Sequence, residues 1–254
     1  MKVSEQELKR NALRAANGRS FSRSWRLGWL WEWAKVLPPA VVLFLLVRTM
    51  LVEAFKIPSG SMENTLLVGD FLLVNKVVYG AGVPFTDRHL PAVRPPRHGD
   101  VVVFAWPVDP SKSFVKRLVG LAGDTLSMQD GVLVRNGRPV SEPYVPERGH
   151  GAGDAPREDF SWQRSYLVQP AVAALSEYHP SRDRWGPLVV PPAHLFVLGD
   201  NRENSLDSRY WGFVPDSLLR GTPLVVYYSY TPDSSVTLPW LSRIRWTRVG
   251  AVVR

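Results

Sequence analysis

Thr125-Leu126-Ser127-Met128-Gln129-Asp130-Gly131-Val132-Leu133-Val134-Arg135-Asn136-Gly137 carries two turn signals six positions apart. Asp-Gly and Asn-Gly accept the positive φ that two-residue hairpin turns demand. The expectation is a β-meander, with strands over Thr125–Met128 and Val132–Arg135. The same texture extends in both directions. Short Val/Leu/Phe runs bounded by Gly, Pro and Asp mark further strands at Phe71–Val78, Asp100–Ala105, Phe114–Leu121, Leu195–Leu198 and Leu224–Tyr230. Residues 146–190 are rich in Gly, Pro, Arg and Asp with weak periodicity, and are expected to form an inserted excursion or small subdomain. No internal repeat is present. The fold class expected is mainly β, with one domain over residues 53–145 and 191–230 and a tail over 231–254. That tail is basic and Trp-containing, which suits lipid contact or plain solvation.

The first fifty residues differ in kind. Residues 1–35 contain eight Lys and Arg against Glu5, Glu7 and Glu32, and this excess runs directly into the apolar stretch Leu27–Val47. That is the positive-inside pattern. It predicts a basic cytoplasmic segment over 1–26, one transmembrane helix over 27–52, and everything later on the outer face. The uninterrupted apolar core, Val36–Val47, is short. If Arg48 snorkels, the helix can run through Met50, Leu51 and Val52 toward the roughly twenty residues a bilayer requires. A buried or interfacial helix and a cleaved signal peptide are the other readings, the latter weakened because no A-x-A site follows.

Across 254 residues, apolar types make up 45% and charged types 21%, which suits a folded chain. Cysteine is absent, excluding disulfides and thiolate chemistry. The five histidines lack metal-ligand spacing, so no metal or cofactor is expected. The net charge of +8 is not gathered into a nucleic-acid motif, leaving anionic phospholipid as the better partner and nucleic acid as none.

Three segments suggest chemistry. Phe55-Lys56-Ile57-Pro58-Ser59-Gly60-Ser61-Met62 is a bent loop displaying two hydroxyls, which alone is weak evidence for catalysis and reads more readily as a membrane-proximal turn. A nucleophilic serine needs a base, and with no histidine suitably paired attention passes to lysine. In Ser113-Phe114-Val115-Lys116-Arg117-Leu118-Val119-Gly120, strand alternation puts Lys116 on one face with Phe114 and Leu118, and Arg117 on the other. One of the two charges must face inward. A lysine there can snorkel, pair with an acid, or lose its proton to desolvation, and only the last makes a base. Arginine cannot serve, so Arg117 is expected to pair with an acid. The third segment, Gly199 to Gly212, interleaves Asp200, Glu203 and Asp207 with Arg202 and Arg209, a composition suited to a rigid hydrogen-bonded network as well as to a solvated turn.

Taken in order, and with Gly99-Asp100-Val101-Val102-Val103-Phe104, these segments resemble the motifs of bacterial type I signal peptidases. The resemblance covers the anchor and most of residues 53–230, leaving out 146–190. It implies a β-rich catalytic domain and a serine endopeptidase that removes signal peptides from exported preproteins after small residues. Ser61 would be the nucleophile, Lys116 the general base, Ser59 with Ser61 the oxyanion hole, and Ser205 the group orienting the lysine. Arg117, Asp200, Arg202, Asp207 and Arg209 would support them. The implied setting is the bacterial cytoplasmic membrane, with the secretion translocon as a further partner. Asn64, Ala122 and Glu203 depart from the commonest pattern without removing a reacting group. The competing readings are a self-cleaving repressor, whose DNA-binding module residues 1–52 do not offer, and a non-catalytic tethered β-domain that binds extended peptides.

Overall fold

A computed structural model describes residues 31–45, 51–80, 91–146, 154–168, 178–235 and 237–254. The chain divides into two units, Met1–Thr49 and Met50–Arg254. In the first, residues 31–45 form a helix, α1, with an exposed ion pair of 3.2 Å between Lys35 and Glu32. Among the described residues no helix is long and apolar enough to cross a membrane. The flanks of the expected span, 27–30 and 46–50, lie outside the described residues. Val52 does not belong to a helix: it opens a strand, β1 (Val52–Lys56).

The second unit is built on two antiparallel sheets. The larger has the order β1, β2 (Asp70–Asn75), β11 (Leu219–Ser229), β3 (Val101–Trp106), β4 (Asp109–Gly120), β9 (His194–Leu198) and β10 (Val214–Pro215). The smaller has the order β7 (Arg138–Pro139), β6 (Val132–Arg135), β5 (Thr125–Gln129) and β8 (Trp185–Val189). The expected meander is β5–β6–β7. Asp130 and Asn136 adopt φ of 50° and 51°, with Gly131 and Gly137 at 80° and 75°. Those are the left-handed pairs a tight hairpin turn requires.

Alternation along the central strands explains why their sequences are apolar throughout rather than at every second position. Val101 and Val103 of β3 join a core with Ile57, Met62, Leu66 and Leu72, while Val102 and Phe104 join another with Leu118, Leu195 and Val197. Phe196 and Leu198 of β9 face a third core with Leu126, Leu133 and Leu188. Strands covered on both faces lose the period-2 signature. Each such side chain contributes about 1.5–3 kcal/mol when fully buried.

Two segments behave differently from their sequence texture. Within 146–190, Trp185–Val189 is a strand that pairs with β5, Leu126 opposite Leu188. The tail also turns back onto the sheet, with bridges between Tyr230 and Ile244 and between Val225 and Val252. Arg248 Nη2 donates to Asp70 Oδ2 at 2.6 Å, Arg245 lies 3.5 Å from Asp70 Oδ1, and Ser229 Oγ donates to the same oxygen at 2.7 Å. Asp70 faces inward because β2 alternates, burying Asp70, Leu72 and Val74. Burial alone would raise its carboxyl pKa, but the Arg248 guanidinium, the Leu67 N–H and the Ser229 hydroxyl more than offset this and hold it below the usual carboxylate value.

A group so depressed gives stability that is complete above its unfolded pKa of about 3.9 and is lost as pH falls through the lower folded value. Replacing Asp70 by Asn is therefore expected to cost about 3 kcal/mol at pH 7. The difference from wild type should shrink below about pH 4. Denaturant titrations of both proteins at pH 7 and pH 3 check this, and an equal gap at both would refute it.

Candidate active site

Ser61 is fixed by what precedes and follows it. After β1, Ile57 N donates to Asp70 O at 2.8 Å, and Gly69 N to Ile57 O at 3.0 Å, so the chain leaves the sheet at a defined point. Gly60–Met62 then make one 3-10 turn, with Ser59 extended at its start. Met62 and Leu66 are buried in the core below, anchoring the turn from its far side. Asn64 has φ +84°, a conformation proline cannot take, which accounts for asparagine at that position.

Lys116 reaches Ser61 from β4, which runs between β3 and β9. Its Nζ lies 2.6 Å from Ser61 Oγ. Ser61 is 8% exposed and Lys116 4%. The Phe114 ring centroid is 5.5 Å from the amine, and Leu118 is buried in the adjoining core. Burial pushes the Lys116 pKa down to about 8, against Asp207 and Asp200, whose charges act upward, and with help from Arg209. The sequence required one inward charge on this strand; the structure buries both, Arg117 being 2% exposed. Arg117 is accommodated because its donors are nearly all used. Nε and Nη2 grip Asp200 at 2.8 and 2.7 Å, Nη1 donates to Gly99 O at 2.8 Å, and Nη2 also meets Thr65 Oγ1 at 3.1 Å and Arg254 O at 3.3 Å.

The loop after β9 closes the site. Asn201 N donates to Ser61 O at 3.1 Å and Asn201 Nδ2 to Gly60 O at 3.2 Å, so the loop holds the serine turn by its backbone. Asp207 caps α2 (Ser208–Trp211) and is gripped by Arg209 at 2.8 and 2.9 Å. Arg209 Nη2 donates onward to Arg202 O at 2.8 Å, and Arg202 pairs with Glu142 at 2.9 and 2.5 Å. Burial would raise the Asp207 pKa, but Arg209, the Gly199 N–H and the nearby Ser205 hydroxyl hold it low. Ser205 Oγ is buried close to Asp207 without a hydrogen bond of standard geometry to it or to Lys116.

Every residue singled out from the sequence therefore falls in one neighbourhood, with Ser205 adjacent to the amine's surroundings but unbonded to it. Four contributors were not singled out. Thr65 donates to Asp200 Oδ2 at 2.5 Å, and Asn201 is placed as above. Glu142 pairs with Arg202, and the Tyr144 ring lies 3.8 Å from the Arg117 guanidinium. Glu142 and Tyr144 border the weakly patterned 146–190 stretch, where nothing local marks a partner sixty residues on. Asn201 carried a signal in the polar loop itself. Among the described residues no three His, Cys, Asp or Glu side chains converge to hold a metal ion.

In front of the pair is a cavity of about 340 Å³, lined by residues 55–62, residues 113–116, Asn204 and Leu206. One wall is the end of β1 with the serine turn, a second is the middle of β4, and the third is the loop. An amine with a pKa near 8 has an accessible uncharged form near neutral pH, and against a hydroxyl at the floor of such a cleft that form can take a proton and so generate an alkoxide.

The family model described as "Signal peptidase, peptidase S26" matches residues 30–228. A signal peptidase I of Pseudomonas fluorescens is 38% identical over 224 residues, covering 84% of this chain and 78% of the relative. One of Pseudomonas aeruginosa is 38% identical over 226 residues with the same coverages. A signal peptidase I of Aquifex aeolicus is 33% identical over 218 residues, covering 74% and 80%.

Gly199 has no room for a side chain, since a Cβ would lie 2.2 Å from Ser205 Oγ and 2.5 Å from Ser61 O. Gly199→Ala is expected to destabilise the domain by about 1–3 kcal/mol. Calorimetric unfolding of the variant checks this, and an unchanged midpoint would show that the loop and the serine turn are not tightly joined.

Proposed function

The chain belongs to the signal peptidase family, peptidase S26, and from that premise we propose that Ser61 and Lys116 are the reacting pair of a type I signal peptidase. The observation that carries the assignment is the 2.6 Å approach of a buried lysine amine to a buried serine hydroxyl. With the amine neutral, the Ser61 hydroxyl donates its proton to Nζ as the oxygen attacks the scissile carbonyl. The Ser61 N–H and the Ser59 hydroxyl receive the negative charge that develops on the carbonyl oxygen. The ammonium then protonates the leaving amine, and the regenerated base activates water to release the acyl chain. Arg117, Asp200, Arg202, Asp207 and Arg209 hold the frame in closed ion pairs, and Ser205, unbonded to the amine in this conformation, would orient it by a hydroxyl rotation once substrate is bound.

The substrate is the signal peptide of an exported preprotein, extended between the end of β1 and residues 113–116 of β4. Bulky walls from Phe55, Ile57, Met62 and Val115 in the same cavity favour small residues before the cut. Residues 1–26 are cytoplasmic and residues 27 onward form a single membrane span that ends before Val52. Anionic phospholipid and the translocon are its neighbours there. Ser61 follows Val52 by nine positions, so anchoring raises the effective concentration of a nucleophile and a membrane-held leader together.

Only the uncharged amine accepts a proton, so kcat/KM is expected to rise with pH through a midpoint near 8, the value burial gives Lys116. An ordinary lysine would place the midpoint at about 10.4. Lys116→Ala should lower kcat by about a thousandfold or more. A pH–rate profile on a synthetic leader peptide, with Ser61→Ala as the inactive reference, checks both. A midpoint near 10, or turnover surviving in Lys116→Ala, would overturn the assignment. Removing residues 1–50 should reduce cleavage of vesicle-held preprotein far more than of soluble peptide, which parallel assays of the two substrates measure. An equal reduction would remove the role given to the anchor.

A further inference from the structure

Leu206 is out of character with its loop. Its neighbours Ser205 and Asp207 are buried, and Asp207 is gripped by Arg209, yet Leu206 is 47% exposed and lines the cavity in front of Ser61 and Lys116. An exposed leucine is ordinary by itself; Leu206 is set apart by its place on the wall of the cavity that holds Ser61 and Lys116. The loop holds it in place from both sides. Asp207 is locked by Arg209, and Asn204 N donates to Asn201 O at 3.2 Å while Asn201 N binds Ser61 O.

The three walls of the cavity are not equivalent. β1 presents its end and β4 its stretch over residues 113–116, which pairs with β3 on one side and not with β9 on the other, and against which an extended peptide can lie. The third wall, Asn204 and Leu206, is irregular backbone set in the polar loop. With the acyl side of the substrate laid against strands and its carbonyl over Ser61, the chain beyond the scissile bond leaves across that third wall. We propose that Leu206, with Asn204 beside it, forms the subsite for the residue that follows the cut, and that it favours an apolar side chain there. The inference rests on the peptidase reading above and adds to it a determinant for the mature end of the substrate.

The test uses the full chain in detergent and synthetic leader peptides that differ only in the residue after the cut, leucine, glycine or lysine. The wild type is expected to prefer leucine to glycine, and Leu206→Ala to reduce that kcat/KM ratio about tenfold. Leu206→Met should restore it. Leu206→Glu should move the lysine-to-leucine ratio about tenfold toward lysine, a gain that a misfolded loop cannot produce. A second peptide pair, varied at the position before the cut, gives a ratio that stays put in all three variants. Ratios after the cut that do not respond to Leu206→Ala or Leu206→Glu, or ratios on both sides that shift together, would overturn the inference alone. A wild type that cleaves none of the peptides and resists acylation by a penem overturns the peptidase reading, and this subsite with it.

Discussion

An amine is a base at neutral pH only where water cannot stabilise its charge, and the whole arrangement around Lys116 serves that condition. The strand that carries it runs between two others, its neighbours along one face are Phe114 and Leu118, and its tip meets a serine rather than a carboxylate. Acids are close enough to act on it, but each is already committed: Asp200 to Arg117, Asp207 to Arg209. An unpaired carboxylate at either position would push the amine's pKa further up. The ion pairs hold a framework rigid while adding little net charge to the place where the proton must move.

The polar loop from Gly199 to Arg209 is the joint between this base and the serine turn. It touches Ser61 through backbone groups, so its geometry depends on packing as close as the contact between Gly199 and Ser205. Its buried arginines reach opposite ways, Arg202 toward Glu142 and Arg209 toward Asp207. Partners from outside it, Glu142 for Arg202 and Arg117 for Asp200, make the loop a consequence of the completed sheet.

Much of this was legible in advance, for identifiable reasons. The meander was readable because Asp130-Gly131 and Asn136-Gly137 encode their turns locally. Lys116 and the acidic–basic loop stood out because charged residues are unusual in such settings, whereas Ser61, in a loop that alone reads as a plain turn, stood out only through the resemblance of the segments taken together. β8 was hidden because its sequence, Trp-Gly-Pro-Leu-Val, carries a glycine and a proline that argue against a strand. β11 begins earlier than its apolar pattern, at Leu219, because register shifts near Pro223 let the ladder continue past that residue. β1 was masked by the apolar run before it, and Val52 belongs to the sheet rather than the helix. Glu142, Tyr144 and the Asp70 cluster depend wholly on long-range contacts, and no local pattern announces these.

The way residues 245–254 fold back has a bearing on timing. Arg245 and Arg248 complete the charge balance of Asp70, Ala251 and Val253 pack against the core beneath the serine turn, and the Arg254 carbonyl meets Arg117. A ribosome makes these residues long after Ser61 and Lys116. The support beneath Ser61 and Lys116 is therefore completed after them, and until residues 245–254 are in place the two side chains lack the backing that holds them together.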